Sequence, residues 1–296
     1  MTSLPVSVCI IAHNEESHIL ACIRSLVQQT FQDFEIVVVD DCSTDNTCNI
    51  VSNFGSGKIR YFRNESKCGV ARSRNRCIKE SRGRYMFFSD ADCTFAKNWI
   101  EEGVKALEQR GCDGVEGRVV YVAEDYRPTM ADALRWLPKA QRDKRPSHFV
   151  GANVAYRKEF VERVGGFDEK YTYLSDRGLG LKVARQGGRL CFSSEMIVYH
   201  PREVWTVRGY VRSGAAIKNR AHLFKDFGDR DDIWWRVVSP RLLLMVVCPP
   251  LVVLSPFVYS FHTWEDFRLL PFVYFRALYG RICLWRECIR DRVFLI

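Results

Sequence analysis

Tyr85-Met86-Phe87-Phe88-Ser89-Asp90-Ala91-Asp92 decides how this chain is read. An apolar run ends in two carboxylates one residue apart, which predicts a buried strand delivering Asp90 and Asp92 to its carboxyl end. If Ala91 turns away, both side chains lie near one point. Hard divalent cations take one or two carboxylates and complete their shell with substrate phosphate oxygens. A solvated turn is the plainer use of two acids, so the rest of the chain has to choose between them.

Working outward, the first 120 residues alternate between two hydrophobic periods. Val6-Ser7-Val8-Cys9-Ile10-Ile11-Ala12 reads as a buried strand, and residues 16–29 as a helix with Ile19, Cys22, Ile23 and Leu26 on one face. Phe34-Glu35-Ile36-Val37-Val38-Val39-Asp40 is a second strand, followed by the helix-cap pattern Ser43-Thr44-Asp45-Asn46-Thr47. A short strand over 59–62, a helix over 70–80, the Tyr85 strand and a helix over 98–109 follow. Strands alternating with helices at this spacing predict an α/β fold with a doubly wound, mostly parallel sheet. Ligands of such sheets bind beyond the carboxyl ends of the strands. Asp40-Asp41 and Asp90/Asp92 both lie at such ends.

The chain has 296 residues and a net charge of +9, enough length for one large domain or a domain with an appendage. The twelve cysteines show no Cys-x-x-Cys pair; with Cys9, Cys22 and Cys77 inside apolar patterns, they predict reduced, buried thiols, with neither a disulfide framework nor a zinc site. No signal peptide is visible, because the apolar residues 6–12 are few and run straight into His13-Asn14-Glu15-Glu16. Residues 201–296 hold 15 Lys/Arg and 9 Asp/Glu, a net of +6 against +3 for the remainder. A basic carboxy-terminal third predicts an anionic partner. The long apolar run there favours an anionic membrane face, and the absence of a basic stacking platform argues against nucleic acid.

Taken together, the first 200 residues resemble family-2 glycosyltransferases with the GT-A fold. The resemblance rests on five ordered motifs: Val8-Cys9-Ile10-Ile11-Ala12-His13-Asn14-Glu15-Glu16, Val37-Val38-Val39-Asp40-Asp41-Cys42-Ser43-Thr44-Asp45, Gly69 through Arg74-Asn75, Asp90-Ala91-Asp92, and Gly151-Ala152-Asn153 with Gly165-Gly166-Phe167-Asp168-Glu169. It implies an inverting transfer from a nucleotide-diphosphate sugar, a UDP-sugar more often than a GDP-sugar, assisted by Mg²⁺ or Mn²⁺. Asp92 would hold the metal, with His200 completing its shell, and Asp90 would lie nearer the ribose. Ala12 and Glu15 would line the nucleotide pocket, Asp41 would read base or ribose with Asp40 supporting its turn, and Arg74 would approach base or pyrophosphate. Asp176 stands where the family places its base; Ser175 replaces a common Glu beside it, and Asp168 is the alternative. A catalytically silent sugar-nucleotide-binding module and, less well, a nucleotidyltransferase are the competing readings. The latter usually has a Gly-rich basic loop where this chain has Ala12-His13-Asn14-Glu15-Glu16.

The expected organisation is a GT-A catalytic domain over 1–202, divided into a nucleotide-sugar half (1–120) and an acceptor half (121–202). A basic helical connector (203–235) and an apolar, membrane-associating helical segment (236–296) follow. Residues 123–146 read as a polar connection or acceptor-side loop, and 204–227 as one basic helix. No charged residue occurs from Leu242 to Trp264, but Pro249, Pro250 and Pro256 interrupt the run, which suits a kinked re-entrant or interfacial segment. Arg276 and Arg281 cut the next apolar patch and would snorkel from an interfacial helix. That location, on the cytoplasmic face of the cell membrane, points to a lipid-linked or glycan acceptor.

Overall fold

The computed structural model describes residues 5–122, 149–201, 206–229, 233–254 and 268–296; the stretch 123–146 and the apolar residues 255–264 lie outside the described residues. Residues up to Pro201 form one compact unit and those from Thr206 onward another.

In the first unit, β1 (Val6–Ala12), β2 (Phe34–Asp40), β3 (Ile59–Arg63) and β4 (Tyr85–Asp90) are parallel, with β1 between β2 and β4. The sheet continues through β7 (Val154–Arg157), β6 (Gly114–Val122), β8 (Leu190–Pro201) and β5 (Thr94–Phe95), in the order β3-β2-β1-β4-β7-β6-β8-β5. β7 runs antiparallel to both β4 and β6, while β6 and β8 are parallel. The sheet is therefore mixed beyond β4.

Side chains alternate across a strand, and β1 feeds two cores. Val6, Val8 and Ile10 pack with Ile19, Ile23 and Leu26 of α1 (Ile19–Val27) and with Trp99 and Ile100 of α4 (Trp99–Glu108). Cys9 and Ile11 face the opposite core, with Ala71 and Cys77 of α3 (Val70–Glu80), Val161 of α5 (Lys158–Arg163), and Leu179 and Val183 of α6 (Ser175–Arg185). α2 (Thr47–Ser52) completes the helices here.

Asn153 locks the junction between the two kinds of pairing. Its side chain is fully buried; Oδ1 accepts from Trp99 Nε1 at 2.8 Å, and Nδ2 donates to the carbonyls of Arg118 (2.9 Å) and Met196 (2.8 Å). Those carbonyls flank the irregularity in β6–β8 pairing between Gly117 and Arg118, so Asn153 satisfies groups the ladder leaves unpaired.

One cysteine expectation is overturned. Cys112 and Cys191 form a disulfide, with Cα atoms 6.0 Å apart. Cys112 stands just before β6, and Val115 of β6 pairs with Cys191 of β8. A pairing between strands so distant in sequence cannot be read from cysteine spacing. Cys9, Cys22 and Cys77 are buried free thiols, as expected.

In the second unit, the single helix expected over 204–227 is three pieces: α7 (Val207–Ser213), a 3₁₀ turn (Gly214–Lys218) and α8 (Asn219–Phe227). The turn presses its backbone against α10 (Val273–Asp291); a side chain at Gly214 would strike the Arg276 carbonyl, and one at Gly280 would meet Gly214 O at 2.6 Å. α9 (Pro240–Val247) and a 3₁₀ turn (Pro249–Leu254) both begin at prolines, which start these helices and do not kink them. Among the described residues no helix is long and apolar enough to cross a membrane. Arg281 does not snorkel: it is fully buried and donates to the carbonyls of Val238 (2.7 Å) and Ser239 (3.2 Å). Arg276 donates from Nε to Ser213 Oγ at 2.9 Å and lies over the Tyr210 ring.

Asn153→Ala should destabilise the protein by about 2–4 kcal/mol, because it leaves an indole N–H and two carbonyls without partners. Denaturant unfolding of the variant checks this, and a loss below about 1 kcal/mol would show that water replaces the amide.

Candidate active site

The carboxyl end of β1 anchors two acidic turns. Asp41 N donates to Ala12 O at 2.8 Å, and Ala91 N donates to Ile11 O at 3.2 Å. The turns after β2 and β4 are therefore fixed on either side of one strand end, where the sheet's winding reverses between β1 and β4. That crevice is where open α/β sheets bind ligands.

In the β2 turn both carboxylates are occupied. Asp40 is fully buried, accepting from Ser43 N (2.7 Å) and the Tyr61 hydroxyl (2.6 Å). Asp41, 3% exposed, accepts from Asn64 Nδ2 and Cys68 N, each at 2.9 Å, and from Gly69 N at 2.8 Å. These donors outweigh burial and hold the Asp41 carboxyl at about 2. Asp40 shapes the turn, and Asp41 clasps the loop that leads into α3. Asn64 and Cys68 were not singled out from sequence, where nothing marks them.

Glu15 stands across the crevice, its N–H donating to Thr47 Oγ1 at 2.8 Å and its carboxylate 3.1 Å from His18 Nδ1. Burial, then the nearby Asp92 carboxylate, push its pKa up against the pull of His18.

Asp92 and His200 come together from β4 and β8, with Oδ2 and Nε2 3.6 Å apart. His200 Nδ1 lies 2.6 Å from Pro201 O. A carbonyl can only accept, so Nδ1 donates to it, and Nε2 is the ring nitrogen that faces Asp92. Such a contact orients metal-binding histidines. Tyr121, paired with His200 in the β6–β8 register, places its ring 5.5 Å away; the register of two strands remote in sequence hid it from the sequence reading. Donor atoms of Asp92, Cys93 and His200 lie within 4.8 Å of one another. The Cys93 thiol is fully buried and its pKa is pushed far up, first by burial. The carboxylate and imidazole thus form the competent pair, a mixed O,N donor set that suits a divalent cation. Burial raises the Asp92 pKa, as does Asp90, while His200 opposes them.

Arg74 links this centre to the acceptor side. It is 4% exposed and pairs with Asp90 Oδ1 at 3.0 Å. Its guanidinium lies 5.5 Å from the Phe167 ring, and any side chain at Gly151 would collide with it. Gly151 N in turn donates to Asp176 Oδ2 at 2.6 Å, and Arg177 N donates to Asp176 Oδ1 at 2.8 Å. Burial raises the Asp176 pKa, opposed by Arg74 and these two N–H groups, with Asp90 adding to the rise. Leu174, just before α6, adopts a left-handed conformation with φ 63°, uncommon for a non-glycine residue and a recurrent mark of functional turns. Asp168 accepts from Lys170 N at 3.2 Å and pairs with its ammonium at 3.1 Å, the contacts of a turn residue. Asn75 ties α3 to this segment, exchanging hydrogen bonds with Phe167 N (2.8 Å) and Phe167 O (2.9 Å).

A GT-A sheet with paired acids at its switch point defines the class, and the comparisons agree with it. The model of glycosyl transferase family 2 matches residues 7–165. The chain belongs to that family. The matched range holds Ala12, Glu15, Asp40, Asp41, Arg74, Asp90 and Asp92, and stops before Asp176 and His200. An uncharacterized glycosyltransferase of Haemophilus influenzae is 27% identical over 61% of this chain and 62% of its own length. The UDP-Glc:alpha-D-GlcNAc-diphosphoundecaprenol beta-1,3-glucosyltransferase WfaP of Escherichia coli is 33% identical over 35% of this chain and 41% of its own. The chain thus spans less than two thirds of either relative. Among solved structures, mannosyltransferase PcManGT from Pyrobaculum calidifontis, in complex with GDP-Man and Mn²⁺, aligns with a TM-score of 0.68 at 17% identity, over 95% of this chain and 86% of its own. That likeness establishes the shared fold.

The Asp41 clasp has a pH signature. Its carboxyl is depressed from 3.8 in the unfolded chain to about 2 when folded, so its stabilisation is complete above about pH 4 and disappears as pH falls through 2. Asp41→Asn should cost roughly 1–3 kcal/mol at neutral pH, and the gap to wild type should narrow steadily below pH 4. Urea unfolding of both proteins across that range is the check; a pH-independent gap would contradict the assignment.

Proposed function

We propose that this chain is an inverting glycosyltransferase that moves a sugar from a nucleotide-diphosphate donor to a hydroxyl or phosphate of a lipid-linked or glycan acceptor. The observation that carries the reading is the set of ionisable groups meeting at the end of β1 and β4. Asp92 faces His200 at 3.6 Å, and Asp90 is held through Arg74 beside Asp176.

In this reading Asp92 and His200 hold a divalent cation, Mg²⁺ or Mn²⁺, which when bound neutralises charge developing on the departing diphosphate. Asp90 stays paired with Arg74 at the ribose side. Ala12 and Glu15 line the nucleotide pocket, and Asp41 acts on the base through the 64–69 loop that it clasps. Asp176 takes the proton of the acceptor hydroxyl while that oxygen attacks the anomeric carbon and the bond to the diphosphate breaks on the opposite face. A base at neutral pH works best with a pKa raised above the ordinary carboxylate range, the direction in which burial moves Asp176.

A UDP-sugar is the favoured donor and a GDP-sugar its rival; WfaP's name supports the first, and the PcManGT complex the second. WfaP's name also supports a lipid-linked acceptor. Such an acceptor, with the basic third of the chain, supports a location on the cytoplasmic face of a membrane, where tethering raises the effective concentration of both substrates.

Asp176→Asn should lower turnover by about 10²–10⁴-fold, leave donor KM nearly unchanged, and remove the acidic limb of the kcat/KM profile. A variant retaining more than about a tenth of wild-type turnover would exclude Asp176 as the base.

A further inference from the structure

Helix α10 packs one face and leaves the opposite one open. Val273, Ala277, Gly280, Arg281, Leu284 and Cys288 are buried. Phe275 (53% exposed), Tyr279 (40%), Ile282 (43%), Trp285 (40%) and Ile289 (79%) form a second apolar stripe. At about 100° per residue these five fall within an arc of about 120°, a width typical of a face that packs against something apolar. The arginines expected to border a membrane face, Arg276 and Arg281, are turned inward onto Ser213 and onto the carbonyls of Val238 and Ser239. Arg286, inside that arc, and Arg290, just beyond its edge, are exposed in the stripe's carboxy-terminal half; Arg290 pairs with Glu287 and Asp291, and Arg286 has no ion pair among the described residues.

We infer that this stripe is the surface by which the chain rests on an anionic lipid bilayer, with α10 lying in the interfacial plane. The inference rests on the membrane reading proposed above and names the residues that make the contact. Three features favour lipid over a second copy of the chain. The third of the chain that carries the stripe has a net charge of +6. The Arg286 guanidinium, with no carboxylate partner among the described residues, would repel its own symmetry mate across a two-fold contact. Tyr279 and Trp285 combine apolar rings with a polar edge, the pairing enriched at headgroup depth. An interfacial helix needs one apolar face with basic residues beside it, and α10 supplies that without spanning.

Co-sedimentation with vesicles decides the matter, using full-length protein, vesicles of equal parts phosphatidylglycerol and phosphatidylcholine, and vesicles of phosphatidylcholine alone. Wild type should pellet with the anionic vesicles far more than with the neutral ones. Ile282→Glu/Ile289→Glu should bind the anionic vesicles at least about tenfold more weakly, with an unchanged melting temperature and unchanged nucleotide binding. If wild type does not pellet with either vesicle, the membrane reading itself falls. If wild type pellets and the folded double variant pellets equally, the membrane reading stands and this face is wrong. A wild-type dimer in light scattering that the double variant dissociates, without vesicle binding, would make a second copy the occupant and overturn the inference. Should the double variant not fold, Arg286→Glu decides in the same way: a several-fold loss on anionic vesicles supports the assignment, and no loss overturns it.

Discussion

The ion pair between the buried Arg74 and Asp90 is the contact on which the site's arrangement depends. Its guanidinium, almost wholly out of water, joins α3 to the end of β4 and lies against Gly151, whose N–H holds Asp176. One charge thus meets a carboxylate from the nucleotide half and the backbone that positions a carboxylate in the acceptor half. Removing Asp90 would leave the buried Arg74 guanidinium without its charge partner, whereas Asp90, about a third exposed, would regain water if Arg74 were removed. Gly151 is dictated by the same geometry, because any Cβ there would occupy the guanidinium's space.

Around that pair, backbone and side chains divide the work. The carbonyls of Ile11 and Ala12 fix the two acidic turns, and Asp40 and Asp41 spend their hydrogen-bonding capacity on the turn and on the 64–69 loop. Glu15, Asp92 and Asp176 keep carboxylates whose ionised forms are disfavoured by burial. Acids with shifted pKa values gathered in a cleft mark functional sites more often than structural ones. The acids that stabilise the scaffold and those that would meet ligand are different residues, although they sit one or two positions apart in the same motifs.

Most strands and helices before residue 110 were legible because they bury a periodic face: Ile19, Cys22, Ile23 and Leu26 line α1 as their spacing indicates. Asp90 and Asp92 were legible because a buried strand leads into them. What stayed hidden depends on pairing between remote segments. The β6–β8 register brings Cys112 to Cys191 and Tyr121 to His200, and no local pattern carries that register. The pairing of Arg74 was hidden for a related reason: on a helix its partner Asp90 is sixteen residues away, and only the folded sheet shows that the two meet. The same limit applied to Arg276 and Arg281, whose charge suggested water and whose partners are backbone carbonyls and a serine.

The central claim is that Asp92 and His200 hold a divalent cation that completes a nucleotide site at the end of β4. Calorimetric titration of UDP and of GDP tests it most directly, in Mn²⁺ and again with chelator, on wild type and on Asp92→Ala. The account predicts that one nucleotide binds only with the metal and that the binding vanishes in the variant. Metal-independent binding of equal strength in both proteins, or no binding by folded wild type, would contradict it.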